Sequence, residues 1–120
     1  MQTSLLSRTK KFAIDVWHFC NKLPANREFN NYVNQLLRCS SSVGANYRAS
    51  QRAKSTSDFI YKLKIVEEEA DESLFFLEII KDINTNAKLI DENERLLKEG
   101  NEILSMVVAS IKRVKNNNSH

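Results

Sequence analysis

Four arginines spaced along one helical pattern are the residues of this chain best suited to chemistry. Arg27, Arg38, Arg48 and Arg52 fall within a sector of about 80° on a helix that turns about 100° per residue. That sector flanks the apolar stripe of the same segment without overlapping it. Lys54 follows at the segment's end, and Lys62 and Lys64 open the next one. A guanidinium is planar, donates paired hydrogen bonds and sheds water more readily than an ammonium, so such a row suits phosphate oxygens. Tyr47 is the nearby aromatic able to stack on a base, although its helical angle turns it toward the core. The same arginines could instead snorkel or pair with Glu67, Glu68 and Asp71 of the neighbouring segment. No recognised RNA- or DNA-binding motif accompanies them, so any binding is expected to read backbone more than bases.

Other chemistries fit the residues poorly. A carboxylate-bridged metal site in a helical bundle uses Glu-x-x-His on two helices with further Glu residues. Here Asp15-Val16-Trp17-His18 is the one acid-x-x-His pattern, and the second histidine, His120, is terminal. Neither a metal nor a cofactor is expected. Glu67, Glu68, Glu69, Asp71 and Glu72 spread around their helix, as a solvated face or an intersubunit ion-pair surface would. His18 has no nucleophile at a suggestive spacing, and two glycines cannot build a phosphate-cradling loop. The chain reads as non-enzymatic. Cys20 and Cys39 lack metal-type spacing and are expected as buried free thiols, with a helix-joining disulfide the alternative.

The charge is strongly segregated along the chain. Residues 1–64 hold eleven Lys and Arg against Asp15, Glu28 and Asp58, whereas residues 65–104 hold four against twelve acids. The tail adds Lys112, Arg113 and Lys115, giving a net charge of +3. One surface can then draw polyanions while another draws the basic surface of a neighbouring copy. No apolar run approaches the roughly 20 residues that span a bilayer. The opening MQTSLLSRTKK lacks a signal peptide's apolar stretch. A cytoplasmic protein without membrane contact is expected.

The elements that must position these residues are helices, since the 120 residues include only two Gly and one Pro. Apolar spacing predicts helices over about 4–22, 27–53, 58–83 and 91–115 of a single 1–115 domain, followed by a frayed tail over 116–120. Leu5, Phe12, Val16, Phe19 and Leu23 line the first helix, which Ser4 can cap and Pro24 ends. Phe29, Val33, Leu36, Leu37, Ser40, Val43, Gly44 and Tyr47 line the second. Ser40 and Gly44, one turn apart, permit close approach of a neighbour, while Ser40-Ser41-Ser42 weakens helix propensity. Ser55-Thr56-Ser57-Asp58 and Asp91-Glu92-Asn93-Glu94 resemble capping boxes for the third and fourth helices. Phe59, Leu63, Val66, Ala70, Ser73 or Leu74, Leu77 and Ile80 line the third helix. Leu97, Gly100, Leu104, Val107, Val108, Ile111 and Val114 line the fourth. Short connections give an all-α, antiparallel up-down-up-down four-helix bundle.

The third helix carries more apolar surface than one stripe needs. Residues 74–80 read Leu-Phe-Phe-Leu-Glu-Ile-Ile, so Phe75, Phe76 and Ile79 need a partner. Either a wide core contact beneath the Asn84–Ile90 loop covers them or they form a subunit interface, and then a closed homo-oligomer is the default.

Arg38-Cys39-Ser40-Ser41-Ser42-Val43-Gly44-Ala45-Asn46-Tyr47-Arg48, followed by Ser55 and Asp58-Phe59-Ile60-Tyr61-Lys62-Leu63-Lys64-Ile65, resembles the four-helix-bundle protein family encoded in intervening sequences of bacterial 23S ribosomal RNA genes. Phe12-Ala13, Leu23-Pro24 and Glu69-Ala70-Asp71-Glu72-Ser73 also fit, so the resemblance spans nearly the whole chain. It implies a four-helix bundle assembling into a ring-like homopentamer. The chain is also similar to accessory subunits of diversity-generating retroelements, which form basic pentamers and engage nucleic acid and a reverse transcriptase. The rRNA in the family's description refers to gene location. Ala49 stands where the family usually carries Glu, and Phe76 where Trp is frequent. Asn46, disfavoured in mid-helix, suggests a hydrogen-bond network between helices or subunits. The resulting expectation is an oligomer that associates with RNA or DNA through Arg27, Arg38, Arg48, Arg52 and Lys54. The alternative is a scaffold for a protein partner, with the arginines used in subunit ion pairs.

Overall fold

A computed structural model describes residues 4–118. Four helices follow in order: α1 (Leu5–Cys20), α2 (Arg27–Ser50), α3 (Thr56–Ile83) and α4 (Ile90–Asn118), the last entered through a 3₁₀ turn at Ala87–Leu89. There is no strand among the described residues. Side-chain caps set three of the starts. Ser4 Oγ accepts from Ser7 N at 3.2 Å, Asn26 Oδ1 from Phe29 N at 2.9 Å, and Ser55 Oγ from Asp58 N at 3.0 Å. The Asp58 carboxylate completes the α3 cap one residue further back than the usual box, accepting from Lys54 N at 3.2 Å.

Several boundaries differ from the sequence pattern. The first helix stops at Cys20 and not at 22, its chain tightening through Lys22 N to Phe19 O and Leu23 N to Cys20 O before Pro24. The second stops at Ser50 and not at 53, because the Ser50 hydroxyl bonds Tyr47 O at 2.5 Å and the amides of Arg52 and Ala53 reach back only three residues. Arg52 therefore lies in the closing turn and Lys54 in the loop. The third begins at Thr56, two residues before 58. The fourth is not capped by Asp91: burial of Leu89 draws the chain into a turn capped by Asn86, whose Oδ1 accepts from Lys88 N. Residues 116–118 continue α4 where a frayed tail is expected, no Gly or Pro intervening to stop it. Residues 119 and 120 lie outside the described residues.

Helices adjacent in sequence pack together, and α1 closes the ring against α4. The result is an up-down-up-down bundle of 53 × 29 × 20 Å. Its core joins Phe12, Val16 and Phe19 of α1 with Leu36, Cys39 and Val43 of α2, Leu63, Val66, Leu77 and Ile80 of α3, and Leu96, Ile103 and Val107 of α4. Gly100, Val107 and Ile111 of the predicted α4 stripe are buried, but two of its leucines are displaced by their neighbours. Leu96 and Ile103 are buried, while Leu97 and Leu104 sit half-buried at its edge. The serine run does not break α2; Ser40 is fully buried and its hydroxyl bonds Leu37 O at 3.4 Å. Gly44 permits the expected close approach, since a Cβ there would meet Thr9 O of α1 at 3.3 Å. Cys20 and Cys39 are free and buried. Burial pushes the Cys20 thiol up to about 12, with Cys39 adding to the effect.

Asn93 interrupts this core. It is 1% exposed, and neither its Oδ1 nor its Nδ2 has a hydrogen-bond partner among the described residues. An unpaired buried amide costs about 1–3 kcal/mol, which an apolar side chain of similar volume avoids. Asn93→Leu is thus expected to raise the urea-unfolding midpoint, corresponding to roughly 1–3 kcal/mol. A lowered midpoint would show that the amide is satisfied in solution.

Candidate nucleic-acid interface

The bundle divides the four arginines of α2. Arg27 opens the helix and pairs with its neighbour Glu28 at 2.9 Å, its side chain almost wholly in solvent. Arg38, in mid-helix, is clamped from α3: Nη1 lies 3.2 Å from Glu69 Oε2 and Nη2 2.7 Å from Glu72 Oε1. The hydrogen bond to Glu72 holds that guanidinium above its ordinary value. Pairing to α3 thus occurs as the competing reading expects, but through Glu69 and Glu72 and not Glu67, Glu68 or Asp71. Arg48 and Arg52 form no ion pair among the described residues. They flank a groove of about 460 Å³ between α1 and α2, together with Lys10. Lys54 is exposed in the adjoining loop.

Lys10 is the residue that sequence reasoning missed. Its signal lies in Gly44: where two helices touch at Thr9 and Gly44, antiparallel packing brings the start of α1 beside Arg48. A second omission is Tyr61, 61% exposed near the start of α3, with Lys62 Nζ 5.8 Å from its ring centre.

The same topology concentrates charge at one end. The start of α1, the end of α2, the start of α3 and the end of α4 meet there, as shown by Val114 beside Ser50 and Thr56, and by Arg113 beside Leu5 and Tyr47. Segments 4–11, 47–64 and 105–118 together hold eleven Lys and Arg and a single acid, Asp58. Lys112, Arg113 and Lys115, 101 to 105 residues from Lys10 and Lys11 in the chain, thereby join one basic end. Most acids lie further along α3 and α4.

Ion pairs fill the α1–α4 seam. Arg8 grips Glu99 through two hydrogen bonds, of 3.0 and 2.5 Å, and reaches Glu102 at 2.9 Å. Asp15 accepts from Lys11 at 2.7 Å and Arg95 at 3.3 Å, and Lys22 meets Glu92 at 3.0 Å. Lys81 pairs with Glu94 across α3 and α4. Arg8 is therefore committed to structure, unlike Arg48 and Arg52.

The residues expected at a subunit interface are scattered in exposure. Phe75 is 55% exposed, whereas Phe76 is half-buried, its ring 5.4 Å from Phe75 and 6.4 Å from Tyr32. Ile79 is half-buried. Asn46 donates within its own helix, to Ser42 O at 3.0 Å and Ser42 Oγ at 2.8 Å, and makes no hydrogen bond to another helix. Tyr47 is half-buried, and burial pushes its phenol up. Among the described residues no cluster of three His, Cys, Asp or Glu could hold a metal ion, and no helix is long and apolar enough to cross a membrane.

The pattern of the 23S rRNA-intervening sequence protein family matches residues 2–109. The chain belongs to this family. The bundle is similar to the crystal structure of a protein of unknown function from the S23 ribosomal protein family of Bacteroides thetaiotaomicron. That likeness has a TM-score of 0.77 at 25% identity, covering 91% of this chain and 99% of the other. No curated protein matches the sequence. Membership accounts for the all-α, four-helix form.

The seam makes a testable electrostatic statement. Burial works against the ionised Asp15 carboxylate, but donation from Lys11 and Arg95 outweighs it, so the carboxyl lies below its ordinary value. Its contribution is therefore present above the ordinary carboxylate range and is lost as pH falls through the folded value. Asp15→Asn should lower the urea midpoint at neutral pH, with the gap to the parent chain closing in acid. A gap independent of pH would remove Asp15 from the account.

Proposed function

We propose that this protein is a non-enzymatic, oligomeric binding protein of the cytoplasm that associates with the backbone of RNA or DNA through the basic end of its bundle. The observation that carries this reading is the contrast within α2 and its closing turn. Arg38 is matched by two carboxylates, while Arg48 and Arg52 have no acid partner and sit beside Lys10. Unpaired cations gathered without intervening acid repel one another, and a polyanion relieves that repulsion while releasing its own counterions. Lys54, Lys62 and Lys64 extend the same end. The interacting set thus shifts from the whole row toward Arg48, Arg52, Lys54 and Lys10, with Arg27 about 30 Å from Arg48 along the helix.

Self-association into a ring-like homopentamer is part of the proposal. Exposed Phe75 and half-buried Phe76 and Ile79 supply apolar surface, and several copies of a weak phosphate site gain avidity if one strand reaches more than one. A scaffold for a protein partner is the second reading, favoured by the satisfied state of Arg38 and by exposed Ile14 and Trp17 on α1.

Titrating a labelled RNA with protein at several salt concentrations separates the two. The Arg48→Ala, Arg52→Ala double variant should lower the slope of log affinity against log salt by roughly 1.4–1.8, two phosphate contacts' worth. Arg38→Ala should leave the slope unaltered. Unchanged RNA binding in the double variant, with sedimentation showing the same assembly, would sink the nucleic-acid reading. A changed assembly would favour the scaffold.

A further inference from the structure

The groove between α1 and α2 has a composition that phosphate binding alone does not explain. Its cations, Lys10, Arg48 and Arg52, stand beside Ser41, a floor of Ala13, Gly44 and Ala45, and a wall formed by Leu6. Leu6 is 46% exposed. No Asp or Glu lines the groove. The absence of a Cβ at Gly44, required by the close backbone of Thr9, keeps the floor low where the helices converge. At about 460 Å³ the groove falls in the range of sites for small organic groups, about 300–1,000 Å³, which combine apolar walls with a few polar groups.

We infer that this groove seats an unpaired nucleobase beside its own phosphate, so that the basic end takes single strands in preference to duplex. The inference rests on the nucleic-acid reading above and specifies its ligand. A duplex offers a protein its charged backbone while its base faces remain stacked inside, leaving an apolar trough wet. A single strand turns a base outward, and every base has an apolar face able to lie on Ala13, Gly44 and Ala45 while the phosphate stays with Arg48, Arg52 and Lys10. Charge complementarity favours this occupant over an apolar helix from another protein, which would leave three cations unpaired. It also predicts little dependence on base identity, because Ser41 is the one neutral hydrogen-bonding side chain among the described residues that line the groove.

The test compares fluorescence anisotropy of one labelled RNA, single-stranded and as its blunt duplex, at matched salt on the full chain. The single strand should bind about tenfold tighter, the size expected for burying one apolar base face on an aliphatic floor. Ala45→Leu fills the floor at an exposed helical position without changing charge, and should bring the two affinities to within about twofold while duplex binding and its salt slope persist. Leu6→Gln, at another exposed position, should reduce the preference in the same direction. Equal affinities for the parent chain, or a preference unchanged in both variants, would overturn the inference and leave backbone binding standing. Loss of all RNA binding by the parent chain would overturn both. A change of sedimentation in Ala45→Leu would assign the groove to a contact between copies and overturn the inference.

Discussion

The contact of α1 with α2 at Gly44 is the constraint on which the functional surface depends. A Cβ there would stand 3.3 Å from the Thr9 carbonyl oxygen, tighter than most side-chain contacts, so its absence lets the two backbones meet without either giving way by a few tenths of an ångström. Once they meet, antiparallel packing determines the rest of that seam. Lys10 and Leu6 come beside Arg48, Arg52 and Ala45, and a groove forms where the helix surfaces diverge.

The bundle then sorts its cations by their neighbours. Those facing the acidic faces of α3 and α4 become structural, Arg38 bridging Glu69 and Glu72 and Arg8 gripping Glu99 and Glu102, while Arg95 of α4 shares Asp15 of α1 with Lys11. Such part-exposed pairs contribute modestly to stability in water. Their larger consequence is to remove charge from the sides of the bundle. What remains concentrated is the end where segments 4–11, 47–64 and 105–118 assemble, with Lys10, Arg48 and Arg52 outside the ion pairs just named. A chain of net charge +3 can thereby present a strongly basic pole, and long-range attraction depends on that local field more than on the total.

The helices were legible because their apolar residues recur at a period no other structure uses. Phe12, Val16 and Phe19, or Leu63, Val66, Ala70 and Leu77, have one face in common only on a helix, and burial follows that face. Boundaries were less legible, since they depend on competitions of single hydrogen bonds, such as the Ser50 hydroxyl with Tyr47 O. In α4 the pattern held at Gly100, Val107 and Ile111 but was misplaced by one residue at two leucines, because Asn93 hides the start of the buried face. Read as polar, it directs the pattern to Leu97 and Leu104, whereas its burial aligns Leu89, Leu96, Gly100 and Ile103.

The sequence by itself determined an all-helical chain, its family, and the presence of a basic row on α2 beside an acidic run on α3, because period and composition are local properties. Which arginines stay unpaired was decided only by tertiary structure. Arg38 and Arg48 have the same chemistry and lie on the same flank of one helix. They differ in what faces them: two carboxylates of α3 for the first, a lysine and an apolar trough of α1 for the second. That difference arises from the rotation and register of neighbouring helices, and those are set by core packing and one close backbone contact far away in the chain.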